Sequence, residues 1–109
     1  MYDSYVFSYE GTITVNITNL PTANYDLYLY GHGGAENQNS AFTVVSAGNN
    51  YGTNSTTTAL DWWFPDWIQG RQYVVFSNVA ATNGQPVTIT VPRGPSGYAV
   101  INGMQIIFK

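Results

Sequence analysis

The residues best suited to chemistry lie in one short run, Asp61-Trp62-Trp63-Phe64-Pro65-Asp66-Trp67. Four of its seven residues are large aromatics, and all three tryptophans of the chain fall within it. Its proline and its lack of alternation argue against a buried strand. An exposed aromatic ring stacks on the apolar C–H face of a pyranose, much as it holds a base. A carboxylate beside that ring accepts hydrogen bonds from sugar hydroxyls, and Asp61 and Asp66 are placed for the role. The competing reading is that the tryptophans plug the end of a core, since tryptophan is usually mostly buried. Neighbouring side chains of an extended segment point to opposite faces, so Trp62 and Trp63 are expected to divide between the two roles. Tyr51, close by in sequence, extends the expected platform.

Two further groups attract attention. Tyr28 and Tyr30 stand at i and i+2, so on a strand they form an aromatic strip about 7 Å long on one face. Such a strip suits an oligosaccharide, although a covering strand would reduce it to packing. The run Gly31-His32-Gly33-Gly34-Ala35-Glu36-Asn37-Gln38-Asn39-Ser40 reads as an irregular loop. Its glycines admit a ligand close to the backbone, and His32, Glu36, Asn37 and Asn39 offer polar groups. A structural calcium ion held by its oxygens is one reading; a solvated loop closed by its own asparagines is the other. Asn37 is taken as a polar contact for the same sugar.

Enzymatic chemistry finds little support. His32 is the single histidine, so a site with two imidazole ligands is excluded within one chain. No Gly-x-Ser-x-Gly elbow exists for a serine nucleophile. Glycoside hydrolysis needs two carboxyl groups facing each other across a cleft; Asp61 and Asp66 could in principle meet that spacing, but a sandwich this small offers little cleft. A non-catalytic role is therefore expected.

Composition points the same way. The chain of 109 residues is 16% aromatic and 44% hydrophobic but only 8% charged, with three basic residues and a net charge of −3. It is large enough for one domain with a core. Nucleic-acid binding would require a basic surface, and disorder a charge-rich one. No apolar run approaches the roughly 18 residues of a membrane span. With polarity supplied by Asn, Thr, Ser and Tyr, the matching partner is neutral and polar, and sugars fit best. No cysteine is present, so disulfides and thiolate metal sites are excluded. The opening residues lack a signal-peptide pattern, which leaves a cytosolic protein or, preferred here, a module of a longer secreted chain.

The elements that must position these groups are strands. Period-two alternation runs through Tyr5 to Tyr9, Thr12 to Ile17, Tyr25 to Tyr30, Ala41 to Val45, Tyr73 to Val79 and Val87 to Val91. Gly52 to Thr58 reads as extended, and Tyr98 to Phe108 as a closing strand interrupted at Gly103 by a bulge. Turn signals stand at Asn19 to Thr22, Ala47 to Asn50, Asn83-Gly84 and Pro92 to Gly97. About eight short antiparallel strands predict a single all-β sandwich over 1–109, jelly-roll in style.

Three stretches carry a family resemblance: Tyr25-Asp26-Leu27-Tyr28-Leu29-Tyr30-Gly31-His32-Gly33, Gln69-Gly70-Arg71-Gln72-Tyr73-Val74-Val75-Phe76, and Gly97-Tyr98-Ala99-Val100-Ile101-Asn102-Gly103-Met104-Gln105-Ile106. Together they resemble the galactose-binding-like β-sandwich domains of secreted bacterial multi-domain proteins, over roughly Thr12 to Phe108. The resemblance implies an eight- or nine-stranded jelly roll, secretion and non-catalytic glycan binding. Such domains run longer at the N-terminus. A strand supplied by a partner chain or a neighbouring domain is therefore a further expectation, with homo-oligomers as one outcome. The rival class is an assembly domain that uses exposed aromatics or an open sheet edge for protein contact.

Overall fold

The structure is a computed structural model and describes residues 6–9, 11–33, 37–58, 68–95 and 97–109. The strands are β1 (Val6–Tyr9), β2 (Ile13–Ile17), β3 (Ala23–Tyr30), β4 (Ala41–Ser46), β5 (Asn49–Ser55), β6 (Tyr73–Ala81), β7 (Val87–Val91), β8 (Tyr98–Ile101) and β9 (Gly103–Phe108). One sheet has the order β2-β7-β4-β5, a second β6-β3-β9, and β1 forms a ribbon with β8. Every pairing between these strands is antiparallel. The protein is an all-β sandwich.

Alternation in the sequence becomes alternation in burial. Tyr25, Leu27 and Leu29 of β3 are buried, while Asp26, Tyr28 and Tyr30 lie on the opposite, partly exposed face. Val87, Ile89 and Val91 of β7 and Phe42 and Val44 of β4 meet them from the other sheet in one continuous core. Removing these apolar surfaces from water is the main stabilising term.

Three details depart from the sequence reading. The β4–β5 turn is tighter than Ala47 to Asn50. Only Ala47 and Gly48 turn, both at positive φ (50° and 80°), and Asn49 already pairs with Ser46. Two residues at positive φ match the right-handed twist of a hairpin, which explains a non-glycine residue there. The closing strand is two strands, giving nine in place of about eight. Asn102 donates its N–H to the Tyr30 carbonyl at 2.8 Å, while Gly103 is also opposed to Tyr30. Two residues facing one is a bulge, and it lets the chain leave β1 and join β3. The run 31–40, finally, is not solvated throughout: His32, Asn39 and Ser40 are buried.

Candidate functional site

Five of the buried polar side chains, His32, Asn39, Ser40, Thr56 and Gln72, gather where run 31–40 meets residues 56–58 and 68–72, the outgoing and returning stalks that flank segment 59–67. Thr56 is at the centre. Its hydroxyl donates to the Gly31 carbonyl at 2.7 Å and accepts the Ser40 N–H at 2.9 Å. The Thr56 N–H donates to the Ser40 carbonyl at 2.9 Å, and the Asn39 amide donates to the Thr56 carbonyl at 3.3 Å. The Ser40 hydroxyl donates to the carbonyl of Val100. Gly31 must be glycine here: a Cβ would stand 2.6 Å from Cζ of Phe42 and 2.8 Å from the Val100 carbonyl. A buried polar group costs little only when it is hydrogen-bonded, and this end of the core supplies partners for these groups, while the Asn39 Oδ1 and the Asn102 amide nitrogen are buried without one.

The stalks themselves are tied. Thr57 donates its N–H to the Arg71 carbonyl at 3.2 Å, and Asn37 donates its N–H to the Thr58 carbonyl at 2.9 Å. The buried Gln72 accepts the Ile68 N–H on its Oε1 at 2.9 Å, which holds the returning stalk in a tight turn. The imidazole of His32 has Nδ1 2.8 Å from the Gly33 carbonyl and Nε2 2.9 Å from the Thr57 carbonyl. With its two nitrogens against backbone oxygens, His32 links run 31–40 to the outgoing stalk, its ring N–H donating to one of the two carbonyls according to the tautomer.

Between the stalks lies an open groove of about 460 Å³, lined by Asn54, Ser55, Gln69, Gly70 and Val74. The Asn54 amide donates to the Val75 carbonyl at 3.2 Å, which fixes its side chain across the gap between β5 and β6. Among the described residues the lining is neutral: amides, a hydroxyl, backbone and one aliphatic residue. Ser55 and Gln69, which stand on either side of segment 59–67 in the chain, both line this groove.

On the adjoining outer face of β6-β3-β9, Tyr28 and Tyr30 are joined by Tyr73. Ring centroids are 6.1 Å apart for Tyr28–Tyr73 and 5.2 Å for Tyr30–Tyr73, with tilted planes. The Tyr30 hydroxyl donates to Oε1 of Gln105 at 3.1 Å. Burial, then the neighbouring hydroxyls of Tyr73 and Tyr28, push the Tyr30 phenol above its ordinary range. The result is a compact aromatic cluster in place of the expected two-residue strip.

Of the residues singled out from the sequence, Asn37 is beside the stalks in a left-handed conformation (φ 62°), which asparagine tolerates. Tyr28 and Tyr30 share a face, as alternation required. Tyr51 packs against the core, and its hydroxyl accepts the Ala80 N–H at 2.9 Å, so this ring is engaged with the interior. Trp62, Trp63, Trp67, Asp61, Asp66 and Glu36 lie outside the described residues. Among the described residues no group of three or more His, Cys, Asp or Glu side chains is arranged to hold a metal ion.

Sequence reasoning passed over Tyr73, Asn54, Ser55 and Gln69. The available signal was position: all four flank the tryptophan run on one side or the other. No protein-family model and no curated protein matches the chain. The site is therefore read from its own chemistry.

Proposed function

We propose that the chain is a non-catalytic carbohydrate-binding module that takes a neutral oligosaccharide or polysaccharide at the groove between the stalks. The observation that carries this reading is the uncharged hydrogen-bonding lining that the described residues give the groove, contributed from both sides of a segment rich in tryptophan. Asn54, Ser55 and Gln69 supply donors and acceptors for hydroxyls, while Trp62, Trp63 and Trp67 supply stacking surface, with Asp61, Asp66 and Asn37 as further polar contacts. The Tyr28–Tyr30–Tyr73 cluster extends the aromatic surface on the adjoining face.

Stacking contributes about 1–3 kcal/mol per ring, so affinity falls in the micromolar to millimolar range. Few charges take part, so binding changes little with salt. The resemblance to galactose-binding-like domains supports the same reading and implies a module of a secreted bacterial protein.

A glycan array, followed by titration of any hit, tests it. The doubly substituted Trp62→Ala/Trp63→Ala chain should lose binding, and Asn54→Ala with Gln69→Ala should weaken it at least tenfold. A chain that binds no plant, algal or microbial glycan sinks the proposal, as does binding indifferent to these changes.

A further inference from the structure

Asparagine followed by glycine is open to attack by the chain on itself, because glycine has no Cβ to obstruct the approach of its own nitrogen. The chain has two such dipeptides, Asn83-Gly84 and Asn102-Gly103. The fold treats them in opposite ways. Asn102 donates its N–H to the Tyr30 carbonyl at 2.8 Å, its Oδ1 accepts the His32 N–H at 2.6 Å, and its Nδ2 is buried. Gly103, whose nitrogen would attack, opens β9 and lies opposite Tyr30. Turning the Asn102 amide toward that nitrogen breaks the His32 bond, and the pairing of β9 with β3 holds the backbone in place.

Asn83 and Gly84 are the central residues of the turn between β6 and β7, closed by the Gln85 N–H donating to the Thr82 carbonyl at 2.9 Å. Every residue from Thr82 to Pro86 is exposed. Gly84 is at φ 84° and Asn83 is not at positive φ, which is the type II pattern. A Cβ built at Gly84 would meet nothing within 4 Å, so the space around its nitrogen is open. Asn83 is tied through its main chain, by an N–H donated to Oγ1 of Thr22 at 2.9 Å, and its side chain has no partner among the described residues. Bringing the amide over the Gly84 nitrogen takes rotation about the Asn83 ψ angle and opening of the turn. Exposed turns open locally far more readily than core strands, and both strands stay paired when this one does.

We propose that Asn83 is a site of spontaneous deamidation in the folded protein, and that the fold shields Asn102 from the same reaction. The Gly84 nitrogen gives up its proton and attacks Cγ of Asn83. The new C–N bond closes a five-membered succinimide, the Cγ–Nδ2 bond breaks, and Nδ2 leaves with that proton as ammonia. Water then opens the ring. Addition at Cγ gives aspartate, and addition at the main-chain carbonyl gives isoaspartate, whose backbone runs through the side-chain carbons. Neither oxidant nor reductant takes part. Each product adds one negative charge to a chain whose net charge is −3, and isoaspartate also lengthens the turn by one carbon. The same change at Asn102 would put a carboxylate where the buried amide nitrogen has no partner, a costly exchange. The proposal is independent of the sugar reading, because this turn follows the end of β6 remote from Tyr73.

Incubation of the folded chain in mildly alkaline buffer, sampled over days and mapped peptide by peptide with mass spectrometry, tests this. A parallel sample is held unfolded in guanidinium chloride. In the folded chain Asn83 should convert at least tenfold faster than Asn102, whereas in the unfolded chain the two should convert at similar rates. Fragmentation that distinguishes the isomers should find isoaspartate as well as aspartate at position 83. Ion exchange should resolve a new acidic species from the folded chain. Asn83→Gln should not form it, because the longer side chain must close a six-membered ring and does so far more slowly. Conversion of Asn102 as fast as Asn83 in the folded chain overturns the proposal. So does an Asn83 that stays intact in the folded chain over the time in which it turns over in the unfolded one.

Discussion

At the base of segment 59–67 the fold takes polar side chains inside; along β9 it leaves apolar ones outside. The first region spends buried hydrogen bonds on holding loops: Thr56 joins Gly31 and Ser40, Gln72 shapes the returning stalk, and His32 spans two carbonyls. Such bonds add little net stability, yet each polar atom stranded inside costs its full desolvation, so the geometry is strongly specified. The second region has no such constraint. Ile106, Ile107 and Phe108 are exposed, although Phe108 meets the Tyr25 ring edge-on at 5.8 Å, and the strand's outer edge has no paired strand among the described residues. Rigid polar anchoring suits a surface that must present loops in one arrangement.

The contrast can be broken by mutation. The largest effect is expected for His32→Leu, which removes the ring between the Gly33 and Thr57 carbonyls and leaves the one served by its N–H without a donor, at about 1–3 kcal/mol, with the ring's packing lost as well. Urea unfolding should show a lower midpoint at unchanged slope. Gly31→Ala should follow, since its methyl group would meet backbone and not only the mobile end of a side chain; overpacking of this kind costs about 1–3 kcal/mol. Gln72→Leu removes the acceptor of one N–H and should also cost about 1–3 kcal/mol, with the added signature of faster amide exchange at Ile68. By contrast, Ile107→Thr on β9 should change stability by less than about 0.5 kcal/mol. If the edge substitution destabilises as much as Gln72→Leu, the two regions are not built differently.

The tyrosine cluster gives the finest test. Its phenol being raised, Tyr30 keeps its proton more firmly in the folded chain than in the unfolded one. Its contribution is therefore complete below the ordinary tyrosine value near 10 and is lost as pH rises through the higher folded value. Ultraviolet titration should show one tyrosine ionising late, and Tyr30→Phe should remove that late step and blunt the alkaline loss of stability.

How much of this was legible in the chain differs by element. The pattern Tyr25-Asp26-Leu27-Tyr28-Leu29-Tyr30 already separates a buried face from a tyrosine face, because a strand's side-chain period is two whatever it pairs with. Val87, Ile89 and Val91 announce their burial in the same way. The candidate site was legible only in outline. The tryptophan run marked the place, but its groove depends on β5 and β6 lying side by side, and nothing local in Asn54 or Gln69 records that.

By itself, then, the sequence determined an uncharged all-β chain whose strands each have one apolar face and whose aromatics divide between strands and one proline-broken run. Only the tertiary structure decided that Tyr73 completes the pair of Tyr28 and Tyr30, through a β3–β6 register that alternation leaves open. It also decided that His32 is interior, that the closing strand breaks at Asn102, and that Ile106 is partly exposed. The physical reason is common to all of these. Periodicity fixes which side chains share a face, whereas neighbours across strands are chosen by non-local pairing, in which each residue competes for partners far away along the chain.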